Sequence, residues 1–184
     1  MYFSEILNRA VEFASIAHKR QMRKSPEAQI PYVQHSFMVG LILQRAGFTE
    51  NVVAAGILHD CIEDTRASVK QLTDLFGSEI AELVNSVSEQ DRSLPWEERK
   101  ELYLRHLEVA SDEAKAIAAA DKIHNIHSIT LSLERGADIW SAFKRGREAQ
   151  LDRFRRLLEC LRSNWDHPLL DELEQALETL EGLV

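Results

Sequence analysis

The apolar residues of this chain recur at three- and four-residue intervals almost from end to end, and nowhere do they alternate cleanly over four or more positions. That is the period of an α-helix and not of a strand. Only seven glycines and four prolines punctuate the 184 residues, so the helices have few places to break. The spacing therefore predicts an all-α fold. Ile6, Leu7, Ala10, Val11, Ala14 and Ala17 share one face of a first helix reaching about His18. After a break around Pro26 and Pro31, Phe37, Met38, Leu41 and Ile42 form the apolar face of a second helix. It ends at Gly47, the residue expected just past a helix terminus. Thr49 is placed to cap a third helix containing VVAAGILHD. Ser68 and Gln71 have capping-box spacing for a fourth, closed by Gly77. Residues 79–87 read as a short amphipathic helix. Pro95 suits the first turn of the next, and Ser111 caps a long helix from Asp112 to about Leu133. A last pair is expected at about 138–163 and 168–181. With no repeat and no linker-like segment, residues 1–184 read as one domain, of a size that buries a core without staples.

Composition narrows the function. A hydrophobic content of 45% and 28% charged residues exclude a disordered chain. Thirty acidic against 22 basic residues give a net charge of -8, which argues against a general binder of nucleic acid or anionic membrane. The longest apolar stretch, Val52 to Leu58, is too short to span a bilayer, and the N-terminus lacks the order of a signal peptide. Cys61 and Cys160 lie far apart with no second pair, as free thiols would, so a cytoplasmic protein is expected. The charge is unevenly spread. Bases gather in residues 1–49 and 144–165, acids in 50–143 and 166–184. A pocket for a small anionic ligand needs such local reversals.

Phosphate-cradling glycine loops, GxSxG and HExxH are all absent. The densest ionisable segment is His59-Asp60-Cys61-Ile62-Glu63-Asp64, at the end of an otherwise apolar helix. By itself it reads equally as a polar helix end or as part of a divalent-cation site, since imidazole nitrogen and carboxylate oxygen are both competent ligands. Neighbouring residues on a helix point about 100° apart, so His59 and Asp60 can meet one ion only where the helix stops or lies deep between others. His35 in PYVQH, and Asp121 with Asn125 on one face of the long helix, extend the set. His124 reads as a supporting residue rather than a ligand, His18 as a packed histidine, and Trp96 and Tyr103 as core. Lys144, Arg145 and Arg147 read as a solvated basic face, with a homo-oligomer contact as the alternative.

The pattern His35, His59-Asp60, Asp121 resembles the HD superfamily of metal-dependent phosphohydrolases. More narrowly, the chain is similar to the hydrolase domain of RelA/SpoT proteins and to the free-standing small alarmone hydrolases. The matching segments, in the family's order, are AHKRQMRK (17–24), PYVQH (31–35), VVAAGILHDCIEDT (52–65), FGSEIAELV (76–84), WEERKELYL (96–104) and AADKIHNI (119–126). They place the motif-bearing part at about 1–135. The resemblance implies an HD-type helical bundle, a single Mn²⁺, and hydrolysis of the 3′-diphosphate of (p)ppGpp or (p)ppApp to release pyrophosphate. It implies His35, His59, Asp60 and Asp121 as metal ligands, and Glu63 and Asp64 as the acids that position and deprotonate the attacking water. Arg23, Lys24, Lys100 and Asn125 are implied as substrate contacts. Two departures fall beside the base pocket: Ser36 stands where the family has proline, and Ser25–Ile30 is longer than expected. The rival readings are an HD phosphatase of other specificity (a 5′-nucleotidase or an NADPH 2′-phosphatase) and a non-catalytic alarmone-binding module. The intact HDCIED weighs against the last.

Overall fold

A computed structural model describes residues 4–25, 29–89 and 93–184; Pro26 lies outside them. Among these described residues ten α-helices follow one another: α1 (Glu5–Ala17), α2 (Val33–Arg45), α3 (Glu50–Leu58), α4 (Cys61–Asp64), α5 (Val69–Phe76), α6 (Ser78–Ser86), α7 (Trp96–Glu108), α8 (Asp112–Glu134), α9 (Gly146–Arg162) and α10 (Pro168–Glu181). Among the described residues the sole extended pairing is an isolated antiparallel bridge between Met22 and Pro31. No helix among them is long and apolar enough to cross a membrane.

Local chemistry explains most of the boundaries. Ser4, Ser68 and Ser111 each accept a backbone N–H at the head of α1, α5 and α8. Thr49 occupies the cap position of α3, but its hydroxyl makes no capping bond. After α2, Gly47 takes φ +85, with the Phe48 N–H bonded to Leu43 O and the Gly47 N–H to Gln44 O. These are the paired bonds of a Schellman stop. Pro95 sits one position before α7 rather than in its first turn. The helix expected from 138 starts at Gly146 instead: Ile139–Ala142 form a 3₁₀ turn, with Asp138 Oδ1 accepting from the Ser141 N–H.

The long helix α8 is the axis of the domain, buried on nearly every side from Ala114 to Ile126 and packed by α2, α3, α9 and α10. A helix enclosed all round shows little amphipathic contrast. The C-terminal α10 lays Leu170, Leu173, Leu177 and Leu180 into the core, as their spacing predicts. The second helix differs from its expected face. His35, Ser36, Val39, Gly40, Ile42 and Leu43 are buried, whereas Leu41 is 54% exposed. Small residues carry this face. Gly40 of α2 lies against Ile57, and Gly56 of α3 lies against Leu43, so the two helices approach closely. The histidine of α2 and the His59-Asp60 pair after α3 are thereby brought together.

Candidate functional site

The HDCIED segment is a break between two helices. α3 ends at Leu58, His59 is its C-cap, and Asp60 heads the short α4. That interruption lets consecutive side chains face one point. Asp60 Oδ2 lies 2.9 Å from His59 Nε2 and 3.7 Å from His35 Nε2, and it accepts from the Tyr32 hydroxyl. Asp121, from the middle of α8, places Oδ1 3.2 Å from His35 Nε2 and 3.9 Å from His59 Nε2.

These contacts are not ordinary hydrogen bonds. The buried Nε2 atoms of His35 and His59 have no hydrogen-bond partner. Orphaned buried nitrogens aimed at carboxylate oxygens are costly unless something else occupies the point they share. Two ligands about 2.1 Å from one ion stand at most about 4.2 Å apart, and all four separations fall within that limit. The buried His35, His59 and Asp121 group therefore fits a divalent cation, with Asp60 beside it. Supporting bonds fix the rings: His59 Nδ1 donates to the Gly56 carbonyl at 2.8 Å, and His35 Nδ1 lies 2.7 Å from His124 Nδ1. Such outer partners hold the tautomer that points Nε2 inward.

Electrostatics follow the same division. Burial opposes charge on His59, but the Asp60 and Asp121 carboxylates outweigh it and raise its pKa to about 9. For His35 burial prevails over Asp121, lowering it to about 4. Burial lowers His124 to about 3, with the neighbouring His35 adding to it. Despite its burial, Asp60 is held below the usual carboxylate range by His59. Asp121 is likewise held low against burial, by Lys122 and then the two histidines. Glu63 goes the other way: burial first, then the Asp60 charge, raise it.

Glu63 Oε2 accepts from the Glu89 N–H at 3.3 Å, while Asp64 Oδ2 accepts from Gln21 Nε2 at 2.9 Å. Behind Gln21 stands a directed chain. Gln21 Oε1 lies 2.7 Å from His18 Nδ1, and His18 Nε2 lies 3.6 Å from the Cys61 thiol. His18 is packed, 2% exposed, and anchors the residue that holds Asp64. The Cys61 thiol, pushed up to about 12 by burial and then by Asp60 and Asp64, stays protonated and serves as the donor at the end of that chain.

A cavity of about 410 Å³ opens over this cluster, lined by Asp60, Glu63, Asp64 and Asp121 and by Arg23, Lys24, Lys100, Lys122 and Asn125. Every sequence-predicted substrate contact is on its wall. Arg23 donates to Asn125 Oδ1 at 2.9 Å, and Asn125 in turn donates to Asp121. Lys24 lies 4.8 Å over the Phe143 ring, and Lys100 pairs with Glu89 above Trp96. Burial first, then Arg153 and Lys122, lower Lys100 to about 7. A larger open groove of about 1000 Å³ meets the cavity at Gln21 and Asp64.

Sequence reasoning passed over Tyr32, Gln21, Gln150, Phe143 and Arg153, all on the cavity wall. Tyr32 and Gln21 lie inside the quoted motifs, where they were legible as polar groups next to assigned ones. Arg153 lies on the helix of Arg147, which with Lys144 and Arg145 read as a solvated basic face, and no signal in the sequence set it apart.

The chain matches the HD domain family over residues 10–148. It is 34% identical over 139 residues, 74% of each chain, to the guanosine-3′,5′-bis(diphosphate) 3′-pyrophosphohydrolase MESH1 of Danio rerio. It is 33% identical over 179 residues to a GTP pyrophosphokinase of Myxococcus xanthus, covering 92% of this chain and 22% of that protein. A solved structure described as a metazoan orthologue of SpoT that hydrolyses ppGpp superposes with a TM-score of 0.85 at 29% identity, covering 100% of this chain and 99% of the other. The chain belongs to the HD domain family, as a homologue of the MESH1 hydrolases and of SpoT-type hydrolase domains.

Proposed function

We propose that this chain hydrolyses the 3′-diphosphate of guanosine-3′,5′-bis(diphosphate), ppGpp, in a divalent-metal-dependent reaction that releases pyrophosphate. One observation carries the reading: a single cavity joins a buried His/Asp cluster fit for a cation to a wall of Arg23, Lys24, Lys100 and Lys122. Such a site suits a substrate that is small and densely anionic. The guanosine compound is chosen because it is the one named for the MESH1 relatives; the adenosine counterpart has no support of that kind.

In this reading His35, His59, Asp60 and Asp121 hold the ion; the mixed nitrogen and oxygen donors suit Mn²⁺, Fe²⁺, Co²⁺ or Zn²⁺, and Mn²⁺ is the one the family resemblance implies. When bound, the ion supplies positive charge against phosphoryl oxygens and lowers the pKa of water. The chain's own residues do the rest. Glu63, raised by its burial, takes a proton from the attacking water, and Asp64, held by Gln21, orients that water. The water oxygen bonds to the phosphorus attached to the ribose 3′-oxygen. The bond from that phosphorus to the 3′-oxygen breaks, and the 3′-oxygen takes up a proton. The products are pyrophosphate and a nucleoside 5′-diphosphate with a free 3′-hydroxyl. Arg23 and Asn125, already paired, contact the base and ribose, while Lys24 and Lys100 approach the phosphates. Positioning and charge neutralisation are what phosphoryl transfer chiefly requires.

We read residues 1–184 as one domain, with α9 adding Gln150, Arg153 and Phe154 to the cavity wall beside the motif-bearing part. The two unpaired cysteines support a cytoplasmic setting. The test is incubation of the purified protein with Mn²⁺ and, separately, ppGpp, ppApp, NADPH and ordinary mononucleotides, with separation of products. Pyrophosphate and GDP from ppGpp are expected. Release of orthophosphate from ppGpp, or preference for NADPH, overturns the reading.

A further inference from the structure

Five arginines lie on α9, and four of them have acidic partners. Arg147 pairs with Glu148 at 3.0 Å, Arg155 with Glu181 at 2.6 Å, Arg156 with Glu101 at 2.5 Å, and Arg162 with Glu174 at 2.7 Å. Arg153 alone has no ion pair or hydrogen bond among the described residues. It is also the arginine of that helix that faces the catalytic cavity, one turn from the buried Gln150 and beside the buried Phe154. A half-buried guanidinium stays charged, because it does not deprotonate in proteins. Leaving it unpaired inside a cleft costs free energy that a bound anion recovers.

Its neighbours sharpen the point. Arg153 also lines a small recess of about 20 Å³ with His59, Asp121, Lys122 and Tyr103, at the metal end of the cavity. Lys24 and Lys100 are both held below the usual ammonium range, by burial and then by the Arg153 charge. Lys100 pairs with Glu89 and Lys122 with Asp121, and Asp60 and Glu89 also line the recess, so of these three cations Arg153 is the one without an acidic partner among the described residues. A planar fork of donors suits the paired oxygens of a phosphate better than an ammonium does.

We propose that Arg153 is a substrate-binding residue that, with Lys100 and Lys122, receives the outer phosphate of the 3′-diphosphate and holds the released pyrophosphate. The assignment rests on the proposed function for the identity of the ligand. It adds a contact supplied by α9, outside every motif of the hydrolase pattern. The outer phosphate is chosen because Arg153 shares the metal-end recess with His59 and Asp121, whereas Arg23 and Asn125 occupy another part of the wall.

The test is calorimetric titration of inorganic pyrophosphate into the full chain loaded with one equivalent of Mn²⁺ at low ionic strength, with melting curves as a fold check. Arg153→Gln is expected to weaken binding by about tenfold or more, the loss of roughly one charge-assisted bidentate contact. Arg153→Lys should fall between, and Arg156→Gln, one turn away on the solvent side, should bind as wild type does. Equal affinity in wild type and Arg153→Gln, or no binding by wild type, overturns the proposal. Should Arg153→Gln fold poorly, Arg153→Lys decides, and wild-type affinity in that variant is the refuting result. Turnover of ppGpp by the wild-type protein is measured separately. Pyrophosphate binding that depends on Arg153 without ppGpp turnover sinks the proposed function alone; turnover with binding indifferent to Arg153 sinks this inference alone.

Discussion

Gly40→Ala tests whether the spacing of two helices sets the metal site. A Cβ at Gly40 would stand 2.6 Å from Ile57 Cγ1, 3.1 Å from its Cδ1 and 3.6 Å from the Val53 carbonyl oxygen. Carbon atoms pack at about 3.5–4.0 Å, so α2 and α3 must part by roughly 1 Å. Ile57 does not step aside easily. It is 6% exposed, and a β-branched side chain in a helix has essentially one rotamer. Overpacking of this kind costs about 1–3 kcal/mol, while glycine to alanine within a helix returns about 1 kcal/mol. The net loss of stability is therefore about 0–2 kcal/mol, and the fold survives. The site is far less tolerant. His35 rides on α2 and His59 caps α3 two residues after Ile57, and metal–ligand distances are held to about 0.2 Å. A displacement of roughly 1 Å should lower Mn²⁺ affinity by about 10- to 100-fold, as loss of a supporting partner does. Titration of Mn²⁺ into metal-free protein reads the effect, with Leu41→Ala, at the exposed neighbouring position, as the unchanged control. A Gly40→Ala protein that melts normally and binds Mn²⁺ within about twofold of wild type refutes the argument that close helix approach positions the ligands.

Three further outcomes are expected. Asp60→Ala should retain no metal and show no turnover, whereas Glu63→Ala should keep the metal and lose about 10²- to 10⁴-fold in kcat; an intact rate would pass the general-base role to Asp64. Gln21→Leu removes one charge-assisted hydrogen bond to Asp64, worth about 1.5 kcal/mol, and should lower kcat about tenfold with KM unchanged. Steady-state kinetics check both, and an unaltered kcat in Gln21→Leu would show that Asp64 needs no such anchor. Stability of the metal-free protein should peak near pH 6.5. His59, raised to about 9, stabilises the fold below its ordinary value and loses that contribution as pH rises through 9. His35 and His124, lowered to about 4 and 3, bind protons more readily when unfolded, so stability falls as pH drops from 6.5 toward 4. Denaturant titrations across pH 4–9 measure this, and a flat profile contradicts the opposed environments of these imidazoles.

What was legible in the sequence, and what was not, divides by the kind of physics involved. Caps and stops act over three or four residues, so Ser68, Ser111 and Gly47 could be read directly. The shared face of Asp121 and Asn125 follows from helix geometry alone, and the two side chains do bond to each other. The buried face of α2 misled because hydrophobicity was taken as the guide. Gly40 is inside since its smallness lets α3 approach, and Ser36 is buried on the same helix, while the larger Leu41 is exposed. The 3₁₀ turn at Ile139–Ala142 stayed hidden because its apolar spacing is also compatible with a continuous helix. Arg153 needed knowledge of which helix packs against which. Its spacing from Gln150 and Phe154 was visible, but nothing local says that this face of α9 closes the cavity.

The net charge of -8 and a polyanionic substrate are compatible for a specific reason. The acids of α10 are largely answered locally, Glu172 by Arg45, Glu174 by Arg162 and Glu181 by Arg155, and what remains exposed is screened over about 8–10 Å. What a ligand meets is the local set. Asp60 and Asp121 sit at the floor, where a divalent ion offsets them, and Glu63 is displaced toward its neutral form by burial and by Asp60. Above them stand Arg23 and Lys24 from the segment after α1, Lys100 from α7, Lys122 from α8 and Arg153 from α9. Those cations come from four separate stretches, none of which is basic enough alone to mark an anion site. Removing the metal should therefore do more than remove a reactive centre. It uncovers the carboxylates of Asp60 and Asp121 beneath the phosphates, so nucleotide binding, and not turnover alone, should weaken in the metal-free protein. Equal nucleotide affinity with and without Mn²⁺, measured with Glu63→Ala to prevent turnover, would break this account of how an acidic chain holds such a ligand.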